Sequence, residues 1–169
     1  MSIHSTIMSR QTQHAGAAIL LLAMAACAQP PLTASVAMPP IPAAAARVWF
    51  YRPIDAYDSL STPYIRMNDA IVAVSIPEGA SYRDVPAGQY HISVDSYLDN
   101  PQQDQNVTLA PGQEVYVKVI SQRSWIQGGG SGGSGEGAGG DYTKDTFYVW
   151  LIPPEVARAD VAHSAFYGS

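Results

Sequence analysis

Between residues 46 and 152 apolar and polar positions alternate in short runs separated by turn residues, the period-two signature of half-buried strands. The cleanest run is QYHISVD at 89–95. Tyr90, Ile92 and Val94 fall on one face, and His91, Ser93 and Asp95 on the other. Similar runs occupy 46–52, 63–68, 70–76, 81–85, 105–109, 113–120 and 141–152. Asn68-Asp69 reads as a hairpin turn, because both residue types tolerate the left-handed conformation that tight hairpins need. Pro86-Ala87-Gly88 and Pro111-Gly112 are further turn signals. In the opening run, ARVWFYR, Val48 and Phe50 alternate with Trp49 and Tyr51, and 113–120 reads as a long edge strand open to another chain. The pattern predicts an all-β fold, an antiparallel sandwich or partly open barrel of about 7–8 strands. Nothing of helical period interrupts the strands, which disfavours a parallel α/β sheet. After them, Pro153-Pro154-Glu155 predicts a short helix over 154–163.

Upstream the pattern is different. Residues 15–26 form a continuous apolar run, shorter than the roughly 20 residues a bilayer span requires but suited to the hydrophobic region of a signal peptide. Arg10 supplies the positive flank, with either Met1 or Met8 as the start. The run ends Met24-Ala25-Ala26-Cys27, which resembles the lipobox of bacterial lipoprotein signal peptides, with Met24 where Leu is usual. The resemblance implies that 1–26 are removed and that Cys27, the sole cysteine, carries a thioether-linked diacylglycerol and an N-acyl chain. More than one acyl chain makes an anchor stable, where one alone is marginal. Ala28, rather than Asp, implies outer-membrane sorting by the same resemblance. The alternative is an ordinary secretory signal cleaved after Ala25 or Ala28. Residues 27–45 then read as a Pro/Ala-rich tether, with five prolines and no charge. Extended at about 3.1 Å per residue it would reach roughly 50 Å; the alternative is an arm packed on the domain.

Four segments of the β region, ARVWFYRP, PYIRMNDAIVAVSI, VPAGQYHISV and LAPGQEVYVKV, resemble the bacterial lipoprotein family catalogued as domain of unknown function 2846 (DUF2846). The likeness covers 46–152, with Asp69 where that family usually has Gly and an apparent insertion at 127–140. PEGA-type surface domains share the Pro-Ala-Gly-Gln-Tyr turn and strand. These motifs are turns and core strands, so the resemblance implies a fold and no chemistry.

Charge and motif spacing narrow the function classes. From Cys27 onward there are 8 basic and 14 acidic residues, a net −6. No basic stripe is present to track a phosphate backbone, so nucleic acid is disfavoured as a partner. Gly135-x-Gly137-x-x-Gly140 matches a dinucleotide fingerprint but lacks the following helix that would receive a pyrophosphate. The segment 127–140 instead reads as a Gly/Ser loop capping a hairpin between 113–126 and 141–152. His91, Ser93 and Asp95 have the residue types of a hydrolase triad. Successive same-face positions on a strand, however, lie about 6.6–6.8 Å apart, too far for direct contact of such short groups. Outside the signal only His91 and His163 remain as histidines, which leaves no zinc set. Asp95, Asp99 and Asp104 do not follow the spacing of a calcium loop. No catalytic residue, metal or cofactor is expected.

The aromatic residues are more suggestive. Ten Tyr and three Trp outnumber three Phe, and such rings suit surfaces that are apolar at one end and wet at the other. Trp49, Tyr51, Tyr116, Trp125, Tyr148 and Trp150 are candidates either for core packing or for a contact platform. Trp125, Tyr116 and Trp150 are the candidate partner-contact residues. The sequence thus points to a membrane-anchored envelope lipoprotein, outer-membrane bound and facing the periplasm. It would be a non-enzymatic binding or structural module, whose partner is an envelope protein or a glycan. The alternative is a glycan- or peptidoglycan-binding module that uses exposed Trp and Tyr.

Overall fold

The computed structural model describes residues 29–54, 58–96, 104–121 and 145–169. Cys27, Trp125 and the 127–140 loop lie outside these residues. The strands are β1 (Ala45–Arg52), β2 (Tyr64–Met67), β3 (Ala70–Val74), β4 (Gly79–Pro86) and β5 (Gly88–Val94). They are followed by β6 (Gln105–Leu109), β7 (Glu114–Ser121), β8 (Phe147–Ile152) and β9 (Ala165–Phe166). One helix, α1 (Pro154–His163), lies between β8 and β9. The fold is an all-β sandwich of two unclosed sheets, ordered β8-β7-β1-β4-β9 and β3-β2-β5-β6.

Turn chemistry sets the hairpins where the sequence places them. Asn68 and Asp69 adopt φ of 47° and 67°, and they join β2 to β3 in antiparallel register. Gly112 takes φ 74°, closing a turn in which the Gln113 N–H donates to the Ala110 carbonyl at 3.1 Å. β7 and β8 pair antiparallel from Tyr116↔Ile152 to Ser121↔Phe147, as the described parts of the expected hairpin should.

Two pairings depart from the antiparallel expectation. β1 runs parallel to β7, and β4 parallel to β9. β7 is therefore internal, flanked by β1 and β8, and is not the edge strand that its length suggests. Its two sides are already hydrogen-bonded.

The main core fills the space between the sheets, with Val48, Phe50, Val117, Val119 and Val149 facing Ile65, Ile92 and Val94. A second cluster lies on the other face of the five-stranded sheet, where Trp49, Tyr51, Tyr82 and Tyr116 pack beneath Ala157 and Val161 of α1. Ala157 and Val161 are four residues apart and share one helix face. Pro154 opens the helix where its missing N–H costs nothing, Glu155 lies in the first turn and His163 in the last. β1 is consequently buried on both faces, which accounts for its nearly unbroken apolar sequence.

Residues 31–44 lie on the domain and do not extend from it; this is the packed-arm alternative to a free stalk. The Thr33 N–H donates to the Ser164 carbonyl at 2.9 Å, and Leu32 bridges Ala165. The Phe166 N–H donates to Pro31 at 2.8 Å, and Arg47 Nη1 donates to the Pro39 carbonyl at 3.0 Å. Met38 packs on the second cluster. Proline composition favours an extended backbone but does not prevent that backbone from being hydrogen-bonded along its length.

Candidate functional site

The outward face of the four-stranded sheet carries the triad-like residues, and they are engaged in separate pairs. His91 Nε2 lies 3.2 Å from Asp104 Oδ2. Asp95 takes two hydrogen bonds from Arg66, from Nε at 2.7 Å and Nη2 at 3.2 Å. The histidine and the carboxylate two residues beyond it thus have different partners, and no Ser93–His91–Asp95 relay is formed. Asp104 and Asp95 are likewise engaged, by His91 and Arg66 respectively. Among the described residues no group of three or more His, Cys, Asp or Glu is arranged to hold a metal.

Two buried arginines tie loops to the sandwich. Arg52, at the end of β1, donates from Nε and Nη2 to the two Asp58 carboxylate oxygens at 2.8 Å each. It also donates to the Ser61 and Ser59 carbonyls and lies over the Phe147 ring at 5.0 Å. The Ser121 hydroxyl donates to Asp58 as well, at 2.9 Å. Arg47 makes the equivalent fork with Asp84, at 2.8 Å on both arms, while its guanidinium lies 4.1 Å from the Tyr82 ring centroid. The Asp84 hydrogen bonds raise the Arg47 pKa further, so this cation is permanent. Both arginines are fully used inside the fold, which makes them structural.

The candidate contact residues separate. Tyr116 is buried at 3% exposure, which corrects its reading as a partner contact. Its ring stacks on Trp49 with 6.5 Å between centroids, and its hydroxyl donates to Glu114 at 3.1 Å and accepts from Arg158 Nε at 3.3 Å. Burial pushes its pKa up, partly opposed by the Arg158 hydrogen bond. Trp49 and Tyr51 are also core residues. Tyr51 is distinctive because its buried hydroxyl has no hydrogen-bond partner among the described residues. Burial first, and the Asp160 charge second, raise its pKa well above the ordinary tyrosine range. Trp150, by contrast, is 41% exposed on β8. Trp125 and the lipid-attachment candidate Cys27 lie outside the described residues.

Strand patterning did not bring out a surface groove of about 660 Å³ where the arm, the end of α1 and the start of β4 meet. Its walls include Gln29, Leu32, Ile54, Glu78, Asp160, His163 and Tyr167, and among the described residues neither Lys nor Arg lines it. Local turn geometry builds one wall: the Gly79 N–H donates to Ile76 at 3.0 Å, and Glu78 adopts φ 57° within that turn. A Cβ on Gly79 would come within 3.0 Å of the Tyr167 ring, so only glycine lets Tyr167 sit there. No sequence motif marks the groove, because its residues come from four separate parts of the chain. Their exposed apolar types, Leu32 and Ile54, are the only local signal.

No family model and no curated protein matches the chain. Among solved structures it is similar to the N-terminal domain of AlgF from P. aeruginosa, at 20% identity. That match covers 66% of this chain and 98% of the other, with a TM-score of 0.35, too low to bear on function.

Proposed function

We propose that this chain is a lipid-anchored bacterial envelope protein, whose β domain serves as a non-enzymatic binding or structural module facing the periplasm at the outer membrane. The observation that carries the proposal is the 15–26 apolar run ending in Ala25-Ala26-Cys27, with Cys27 the only cysteine of the chain. The likeness of its strand and turn motifs to DUF2846 lipoproteins supports the same reading. The polar groups on the outward sheet face are paired with one another, an arrangement suited to a stable surface and not to an exposed nucleophile. A glycan-binding role is the second reading, and it rests on Trp150, the exposed tryptophan among the described residues.

Feeding cells a radiolabelled lipid precursor tests the anchor. Label should enter the wild-type chain and be lost in Cys27→Ser, which should leave the membrane fraction. An unlabelled wild-type chain would overturn the reading. Retention of the purified protein on peptidoglycan saccules, abolished by Trp150→Ala, would favour the glycan module instead.

A further inference from the structure

We propose that the groove face is the membrane-contact face of the domain, seated on a bilayer surface whose lipid headgroups carry ammonium groups. This rests on lipid attachment at Cys27. Four observations converge on it. The arm is hydrogen-bonded to the domain from Pro31 onward, and Gln29 itself lines the groove. Gln29 is two positions beyond Cys27, a reach of at most about 7 Å, so an acylated Cys27 holds this face against the headgroups. The exposed apolar side chains Leu32 and Ile54, each 52% exposed, rim the groove together with Tyr167, a residue type suited to the membrane interface.

Charge selects the kind of lipid surface. Glu78 and Asp160 line the groove together with His163 and Gln29, and among the described residues no Lys or Arg does, so its carboxylates suit an ammonium better than a bare phosphate. The chain from Cys27 onward has 8 basic against 14 acidic residues, which further disfavours a strongly anionic bilayer. Thr108, exposed on the four-stranded sheet, belongs to the opposite layer and faces away.

The test uses the processed full chain in vesicles of phosphatidylethanolamine and phosphatidylcholine. With Cys27 acylated, Ile54→Cys or Thr108→Cys supplies the single reactive thiol for a polarity-sensitive fluorophore. The label at 54 should shift to the blue, and a headgroup-level spin-labelled lipid should quench it several-fold more than the label at 108. Leu32→Glu, or replacing much of the phosphatidylethanolamine with phosphatidylglycerol, should reduce the shift. Equal responses at 54 and 108 would overturn the proposal. So would a shift at 54 that follows protein density without lipid quenching, which would place a second copy in the groove. The mass of the N-terminal peptide reads the anchor separately. If it lacks acyl chains, a fluorescent unnatural amino acid replaces Ile54, leaving Cys27 as the one thiol for a maleimide lipid: a shift at 54 then upholds the docking face, and its absence ends it.

Discussion

The Thr33 hydroxyl donates to the Ser164 carbonyl at 2.9 Å, across 131 positions of sequence. The same carbonyl accepts the Thr33 backbone N–H, so one oxygen holds the N-terminal arm to the end of α1. Thr33→Val keeps the shape and removes the hydroxyl bond, with an expected loss of about 1 kcal/mol. Amide hydrogen exchange should accelerate at 32–36 and stay unchanged in β5, which localises the effect to the arm.

Arg52 and Asp58 form a pair whose side chains are 1% and 5% exposed. Asp58→Asn strands a buried guanidinium and should cost about 3–5 kcal/mol in chemical denaturation. Replacing both residues, Arg52→Met with Asp58→Leu, should recover most of that loss, because the desolvation of the charge disappears along with its partner.

Tyr51 supplies an alkaline limb to the stability curve. Its folded pKa lies above the ordinary value of 10.0 because burial penalises the phenolate. The neutral ring therefore contributes its full stability below that ordinary value. The contribution is lost as pH climbs from there through the folded pKa, because the unfolded chain releases the proton first. Tyr51→Phe should flatten this limb in denaturation curves taken between neutral pH and pH ~11. At neutral pH the substitution should be neutral or stabilising by about 1 kcal/mol, because the hydroxyl it removes is buried without a partner among the described residues.

Tyr116 and Trp150 should behave oppositely. Tyr116→Ala empties a packed site beneath α1 and should cost about 3–5 kcal/mol, as should Trp49→Ala beside it. Trp150→Ala removes a half-exposed ring and should cost less than about 1 kcal/mol. Thermal unfolding of the three variants separates the core aromatics from the surface one.

Gly79→Ala drives a methyl to 2.9 Å from the Ile76 carbonyl oxygen and 3.0 Å from the Tyr167 ring. The cost should be about 1–3 kcal/mol. Adding Tyr167→Ala should return part of it, the part due to the ring and not to the carbonyl.

Most strands could be read from the sequence because one face of each is buried and the other wet, as with Ile92 and Val94 against His91 and Ser93. The helix was legible from Pro154 and Glu155. The parallel pairing of β1 with β7 was not, because it joins strands over sixty residues apart and leaves no local pattern. β9, at two residues, is too short to show a period. Tyr116 and Trp150, both on the outward side of β7 and β8, were indistinguishable for a related reason. Tyr116 sits opposite Ile152, beside the start of α1, and is covered; Trp150 sits opposite Lys118, one same-face pair further along, and is not. Where a helix comes to rest on a sheet is a tertiary fact. The arm was misleading because its composition is that of a spacer, while its attachment depends on main-chain bonds, the Thr33 hydroxyl, the Arg47 bond to Pro39 and the packing of Met38.

The Thr33–Ser164 tie also governs when the fold can finish. Its acceptor lies just past α1, and α1 and β9, which cover Tyr82 and Trp49, follow β1–β8 in the chain. A polypeptide delivered amino end first therefore keeps one flank of its five-stranded sheet bare until residues 154–166 arrive. Deleting those residues should leave sticky aromatic surface on an otherwise assembled sandwich.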